Sequence, residues 1–174
     1  MGSATEIVAI VDKNNNPIGR ATRQEMRSAG LPHRATYILV FNSTGKLFVQ
    51  KRTIMKDIYP GCYDPAAGGV VLDGETYEQG AYRELEEEMG IAGIRLKEHF
   101  DFYFEEARLV VWGRVFSCTH DGPLTLQAEE VQDGSFMSIP DILTLAASEP
   151  FANDGFEAFR RYIDQRRSFE SPTR

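Results

Sequence analysis

The chain is short of the residues that build thiolate and imidazole metal centres. Its 174 residues include two cysteines, Cys62 and Cys118, and three histidines. No CxxC pair or Cys/His ligand spacing occurs, so a zinc site is not expected. Both cysteines read as reduced thiols, and nothing in their spacing asks for a disulfide. Positive charge is also scarce. Nineteen Lys and Arg against 26 Asp and Glu give a net charge of −7, which argues against duplex nucleic acid or an anionic membrane as partner. A local basic patch is compatible with that balance. Apolar runs long enough to span a bilayer are missing, as are internal repeats and low-complexity tracts. The opening Met1-Gly2-Ser3-Ala4-Thr5-Glu6 has neither the basic n-region nor the apolar h-region of a secretory signal. A cytoplasmic location is the expectation by elimination.

What is present suits one globular domain over 1–174: 42% hydrophobic and 26% charged residues, with length enough for a real core. Ile7 to Val11 is a β-rich run ending in the turn-rich Asp12-Lys13-Asn14-Asn15-Asn16-Pro17. Arg23 to Ala29 predicts a short helix stopped by Gly30 and Pro32. Thr36 to Phe41 and Leu47 to Arg52 flank Asn42-Ser43-Thr44-Gly45, a hairpin signal. Two more strands are predicted at Phe100 to Phe104 and Leu109 to Phe116, with Glu105-Glu106-Ala107 between them and Trp112 in the core. A late strand covers Phe136 to Ser138, closing helices cover Asp141 to Ala147 and Asp154 to Arg166, and residues 168–174 read as a frayed, disordered tail. This order predicts an α/β (α+β) sandwich; the strands are too short and too hairpin-linked for a doubly wound parallel sheet.

The strongest helix signal runs from Thr76 to Met89. Thr76-Tyr77-Glu78-Gln79 fits a capping box, and Gly90 stands where a left-handed C-terminal glycine belongs. Residues advance by about 100° each, so Glu84, Glu87 and Glu88 share one face. Ala81, Leu85 and Met89 form an adjoining apolar stripe, and Glu86 points to solvent. Three carboxylates on one face repel one another. A hard divalent cation with a preference for oxygen, Mg²⁺ or Mn²⁺, removes that cost and can bridge phosphate oxygens and activate water. A Glu-rich helix taken alone is more often a solvated face.

The flanking residues change the weighing. Gly69 to Ile91 reads GVVLDGETYEQGAYRELEEEMGI and resembles the Nudix box, a loop–helix–loop signature. Gly69, Glu75, Arg83, Glu84, Glu87, Glu88 and Gly90 all match, with apolar Leu85 and Ile91. At about 5–10% usage per residue, chance agreement lies far below roughly one in a million per window. The resemblance extends over residues 7 to 140. Val11-Asp12, Ile18-Gly19, Arg23, His33-Arg34-Ala35, Lys51-Arg52, Lys56 and Tyr59-Pro60-Gly61 are similar to isopentenyl-diphosphate isomerase and its neighbours, and the HRATYI segment and AGGVV run to the YfcD-like bacterial branch.

The resemblance implies an α/β/α sandwich with a mixed central sheet and Mg²⁺-dependent hydrolysis of a diphosphate bond in a nucleoside-diphosphate-linked or related small molecule. It implies metal ligation by Glu84, Glu87 and Glu88, with the Gly68 carbonyl as a further ligand, and Glu84 as base. Arg83, paired with Glu75, would orient Glu84; by physics alone such a pair is an ordinary exposed ion pair. A further acid from outside the box is expected at Glu130 or its neighbour Glu129, a solvated loop being the equal alternative; Glu105 and Glu106 are weaker candidates. Arg52 and Lys56 match residues that contact a substrate diphosphate, which suits a planar fork and a point charge, although two surface bases after a strand is the plain alternative. Tyr59, Tyr63, Phe102 and Phe104 are candidate stacking rings. Many members dimerise, so a homodimer is compatible with the resemblance.

Isomerisation moves protons at carbon and needs dedicated acid–base groups. Ala67 and Val111 stand where the isomerase uses a cysteine and a glutamate. Met26 and Gly69 stand near two of its metal histidines, and His33 alone reads as a hydrogen-bonded structural residue. Isomerase activity is therefore disfavoured. A nucleotide-binding sensor without catalysis is the third reading, and the complete set of box glutamates argues against it.

Overall fold

A computed structural model describes residues 4–170, the side chains of Phe169 and Glu170 excepted. The elements are β1 (Ile7–Val11), β2 (Pro17–Thr22), α1 (Arg23–Ala29), β3 (His33–Phe41), β4 (Leu47–Arg52), β5 (Tyr63–Asp64), α2 (Tyr77–Met89), β6 (Lys97–Glu106), β7 (Leu109–Thr119), β8 (Val131–Met137), α3 (Ile139–Ala146) and α4 (Asn153–Glu170).

The eight strands of the described residues belong to one mixed sheet. β3 lies at its centre and pairs in parallel with β7 along its whole length, from His33↔Val111 to Phe41↔Thr119. β6 and β7 form an antiparallel hairpin, and β4 pairs antiparallel with β8. The alternation of side chains along β3 sorts the core into two layers. Ala35, Tyr37, Leu39 and Phe41 pack with Ala158, Phe159, Tyr162 and Ile163 of α4 and Ile142 of α3. Ile38 and Val40 pack on the opposite face with Tyr77, Ala81, Leu85 and Met89 of α2. The predicted sandwich, helix layers on both faces of a mixed sheet, is the observed one.

The predicted helix at 76–89 forms as its sequence dictates. Thr76 caps it: its hydroxyl accepts from the Gln79 N–H at 3.1 Å, and Gln79 Oε1 accepts from the Thr76 N–H at 2.9 Å. Gly90 closes it at φ 66°, a conformation that costs glycine nothing. Several boundaries differ from expectation. β3 begins at His33, β6 and β7 run longer, and the turn between them is Ala107–Arg108, with Glu105 and Glu106 inside β6. β2, β5 and most of β8 carry no apolar alternation. They exist because a neighbouring strand offers its edge, and β2 is mostly exposed. Trp112 is half-buried against Tyr103 rather than in the core. α4 continues through Glu170, so residues 168–170 are helical where a frayed end is expected; 171–174 lie outside the described residues.

Candidate active site

The segment before α2 sets the site. Residues 67–71 run antiparallel beside β3, with Ile38 N–H to Ala67 O at 2.7 Å, Thr36 N–H to Gly69 O at 2.9 Å and Val71 N–H to Arg34 O at 2.9 Å. Gly68 interrupts this ladder at φ +133°; a Cβ there would lie 2.1 Å from the Thr36 carbonyl oxygen. Gly68 and Gly69 lie against the acidic face of α2, where the Gly68 N–H donates to Glu88 Oε2 at 3.1 Å. At Gly69 a Cβ would lie 2.6 Å from Glu84 Oε1 and 2.8 Å from Oε2, so only glycine lets the backbone meet that carboxylate.

Arg83 fixes Glu84. Its Nε and Nη2 donate to the two oxygens of Glu75 at 2.8 and 3.0 Å. Nη2 also reaches the Val70 carbonyl at 3.1 Å, and Nη1 donates to Glu84 Oε1 at 2.7 Å. Glu75 Oε2 accepts in turn from the Leu72 N–H at 2.9 Å. This fork is half-buried, not the exposed pair of the plain alternative, and it ties the helix to the loop that precedes it.

Glu84 and Glu88 are buried, Glu87 is exposed at the rim, and Glu86 faces solvent. Burial pushes the Glu84 carboxyl up, against the pull of Arg83. Burial, and then repulsion from Glu84, raise Glu88 to about 7, although Lys56 and the Gly68 N–H, 3.1 Å from Glu88 Oε2, oppose the rise. Among the described residues these acids are not already gathered into a metal-binding cluster of three: Glu84 leans on Arg83 and Glu88 on the Gly68 N–H. The donor set nevertheless fits a hard divalent cation. It is all oxygen, two of its carboxylates are buried, and both are held toward protonation by burial that a double positive charge would offset.

Of the two outer acids, Glu130 is buried in the cleft, its carboxylate against Lys56 Nζ, and Glu129 is exposed. Lys56 is pushed down to about 8, first by burial and then by Arg52. Arg52 is not a free base on the surface: Nη1 meets Asp64 at 3.2 Å and Nη2 donates to the Ile58 carbonyl at 2.9 Å. Burial raises Asp64 to about 7 despite Arg52. One cleft of roughly 730 Å³, its mouth included, is lined by Gly68, Glu84, Glu87, Glu88, Glu130, Arg52 and Lys56 together. The expected site residues therefore converge, with Arg83 behind them. Arg27, Asp64 and Asp154 also line the cleft and were not anticipated. The i, i+4 spacing of Arg23 and Arg27 was the only legible signal for Arg27, and Asp64 and Asp154 had none.

The isomerase positions are apolar. Ala67 is 2% exposed and Val111 fully buried, so neither supplies an acid or a thiol. His33 is buried, its Nδ1 2.9 Å from the Leu31 carbonyl, and burial together with Arg27 lowers it to about 3. Among the aromatic candidates Phe102 is core and Phe104 packs against the core. Tyr63 packs against Phe151 with Lys51 over its ring. Tyr59 lines the cleft, its hydroxyl donating to Glu106 at 2.6 Å. Cys62 and Cys118 are both free thiols.

Comparison with known proteins agrees with this geometry. The NUDIX domain model matches residues 31–161. An uncharacterized Nudix hydrolase of Pseudomonas aeruginosa is 46% identical over 162 residues, 93% of this chain and 96% of that protein. Uncharacterized Nudix hydrolase YfcD of Escherichia coli is 44% identical over 161 residues, 92% of this chain and 88% of that one. Among solved structures, a protein of Deinococcus radiodurans superposes with a TM-score of 0.79 at 24% identity, covering 90% of this chain and 98% of its own. The NUDIX domain of Shewanella oneidensis NrtR, solved with ADP ribose, gives 0.60 at 15% identity over 76% of this chain and 85% of that one. The chain belongs to the Nudix hydrolase family, enzymes that act on pyrophosphate bonds.

Proposed function

We propose that the protein hydrolyses a diphosphate bond in a nucleoside-diphosphate-linked or related organic diphosphate, with Mg²⁺ as its cation and Mn²⁺ as a substitute. The observation that carries this reading is the hold of Arg83 on Glu84 beneath Gly69. It holds Oε1 of a carboxylate that lines the cleft. Glu84, Glu87, Glu88 and the Gly68 carbonyl would hold the cation. When bound, the cation supplies charge neutralisation for the phosphates and lowers the cost of deprotonating water.

The residues of the chain do the rest. Glu84 Oε1 is taken by Arg83, so Oε2 is the atom placed to orient a water and accept its proton. The water oxygen forms the new bond to phosphorus as the bridging P–O bond breaks. The bridging oxygen leaves with the departing phosphate. Glu130 is the second candidate base, held by Lys56. Arg52 and Lys56 are placed to exchange Asp64 and Glu130 for phosphate oxygens, a trade of one anion for another that keeps each base paired. We assign these roles within one hydrolase domain spanning 1–174, acting in the cytoplasm on a small molecule, with a homodimer compatible. The ADP ribose bound by the NrtR domain makes nucleoside diphosphates linked to a sugar the first compounds to try.

The test is a release assay for phosphate and nucleoside monophosphate across a diphosphate panel with Mg²⁺. Glu84→Gln and Glu88→Gln should each lower turnover by two orders of magnitude or more, in the range of losing a positioned base or a charge stabiliser (about 10²–10⁴-fold). Circular dichroism should show both folded. Unchanged turnover in both variants rejects the assignment.

A further inference from the structure

Besides its acidic wall of Glu84, Glu87, Glu88 and Glu130, the cleft has an end that it shares with another space. Ile58, Tyr59 and Leu109 line the cleft and also line a second hollow of roughly 620 Å³, its mouth included. The rest of that hollow is Asp57 and the β6–β7 turn from Glu106 to Arg108. Tyr59 comes from the segment between β4 and β5, and its side chain is tied to the end of β6: the hydroxyl donates to Glu106 Oε2 at 2.6 Å. Asn153, the first residue of α4, holds Glu106 from behind, its Nδ2 donating to the two carboxylate oxygens at 2.9 and 3.0 Å. Burial and then Glu106 raise the Tyr59 phenol, and the bonds from Tyr59 and Asn153 lower Glu106, so the donor keeps its proton and the acceptor its charge. The backbone beneath the ring is strained. Tyr59 has φ +52° and Ala107, in the turn that lines the same hollow, φ +38°; the third non-glycine residue with positive φ among the described residues is Asn15, a type that tolerates that region where a bulky one does not. The chain on either side is fastened, the Ile58 carbonyl accepting from Arg52 Nη2 at 2.9 Å and the Tyr59 carbonyl from the Cys62 N–H at 3.3 Å.

A strained backbone persists only where its surroundings hold it, and such strain gathers at sites that bind or switch. Here what holds it at the tip of the ring is a single hydrogen bond to a half-buried carboxylate, whose own partner Asn153 is exposed. A bond with water as competitor opens at modest cost. From this we infer that Tyr59 is a latched gate that sets the size selectivity of the site. Latched to Glu106, its ring closes the cleft toward the hollow. Released, it joins the two spaces, and a longer organic group of the substrate extends into the hollow along Ile58 and Leu109. The apolar side chains suit a hydrocarbon or ring, and two acids, Asp57 and Glu106, against one base, Arg108, disfavour a further phosphate there. Tyr59 thus discriminates between diphosphates by a difference in affinity. The inference rests on the hydrolase reading for the diphosphate that occupies the cleft, but the gate is read by binding alone.

The probes are symmetric dialkyl diphosphates, with one methyl, butyl or hexyl group on each phosphate, so that the direction of binding does not matter. Affinity is measured by titration calorimetry with Ca²⁺ as the cation, and the readout is the ratio of hexyl to methyl affinity. In wild type the ratio should stay near unity, since the latched ring denies the longer chain its space. Tyr59→Phe keeps the ring and loses the latch, and Asn153→Ala loosens the latch from a position that lines neither space. Both should raise the ratio by about 3–10-fold, the order of one net hydrogen bond, with the methyl probe binding Asn153→Ala as it binds wild type. Tyr59→Ala removes the gate and should raise the ratio by about tenfold or more, a buried methylene being worth about fourfold. A merely structural tyrosine would weaken all three probes together and leave the ratio unchanged, which overturns the gate. A wild type that already binds the hexyl probe about tenfold tighter than the methyl one overturns it too, because the hollow is then open. Should Tyr59→Ala fail to fold, Tyr59→Phe and Asn153→Ala carry the comparison. Failure of the methyl probe to bind wild type at all counts against the cleft as a diphosphate site, whereas an unchanged ratio with intact methyl binding counts against the gate alone.

Discussion

Two adjacent glycines do different work, and alanine separates them. At Gly69 the added methyl meets only the far end of Glu84, 2.6 Å from Oε1. The backbone can stay, but the carboxylate must leave the position Arg83 gives it. Gly69→Ala should fold and melt near wild type, with turnover lower by about 10–100-fold, the usual result of a misplaced catalytic group. At Gly68 the methyl meets the Thr36 carbonyl at 2.1 Å and φ is +133°, so neither backbone can yield cheaply. Gly68→Ala should destabilise the fold by roughly 1–3 kcal/mol or more, visible in urea unfolding. Equal effects of the two changes on stability would contradict this division. The sequence made the acids readable because Glu84, Glu87 and Glu88 sit on consecutive turns of one helix. The partners of those acids were less readable. That Lys56 faces Glu130 and that Arg52 faces Asp64 depends on loops and strands brought together from distant positions, and no local period encodes such meetings. Arg27 and Asp154 escaped notice for the same reason.

At the scale of elements, legibility followed the agreement of independent signals. α2 combines a capping box, an apolar stripe at Ala81, Leu85 and Met89, and a terminal glycine, and each alone would have given nearly the same bounds. β2 and β8 are polar edge segments whose extended form is imposed by β1 and β4, so no window of their own sequence marks them. Glu105 and Glu106 looked like turn residues because acids favour turns, yet the Ala107–Arg108 turn suffices to reverse the chain, with Ala107 at φ 38°. The cap of α2 gives a clean check that the helix, rather than the loop, carries the catalytic face. Thr76→Ala removes the acceptor of the Gln79 N–H and should cost about 1 kcal/mol, a fall in melting temperature of about 2–4 °C for a protein of this size. Glu84 lies two turns further on and is anchored by Arg83, so turnover at 25 °C should change less than about twofold. A large loss of activity with an unchanged melting temperature would mean that the cap region itself takes part in the site.

For the whole molecule, the buried ionisable groups set how stability depends on pH. Burial raises Asp64 from 3.8 and Glu88 from 4.5, both to about 7, and lowers His33 from 6.5 to about 3. Between pH 4.5 and 6.5 the folded protein therefore holds two protons on the acids that the unfolded chain has released. The unfolded chain holds one on His33 that the folded protein lacks. Over these three groups the balance is one proton in favour of the folded state, so they make stability fall as pH rises across this window, by about 1.4 kcal/mol per pH unit. Glu84, also raised, adds to the fall. Glu75 is held below its usual value and acts in the other direction, but only below about pH 4.5, where its unfolded carboxyl begins to protonate. In EDTA the unfolding free energy should thus be greater near pH 5 than at pH 7. Mg²⁺ changes the comparison, because it binds Glu84 and Glu88 only in their ionised forms and must displace their protons at low pH. Its stabilising increment should be close to nothing at pH 5 and should grow toward pH 7.5, as effective affinity rises and RT ln(1 + [Mg]/Kd) with it. Urea titrations at both pH values, with EDTA or excess Mg²⁺, give the four numbers needed. A pH-independent Mg²⁺ increment would place the cation away from these glutamates. An EDTA stability that rises from pH 5 to pH 7 would mean that Asp64 and Glu88 are ionised in the metal-free fold, and that the acidic wall is already neutralised by its own arginines and Lys56.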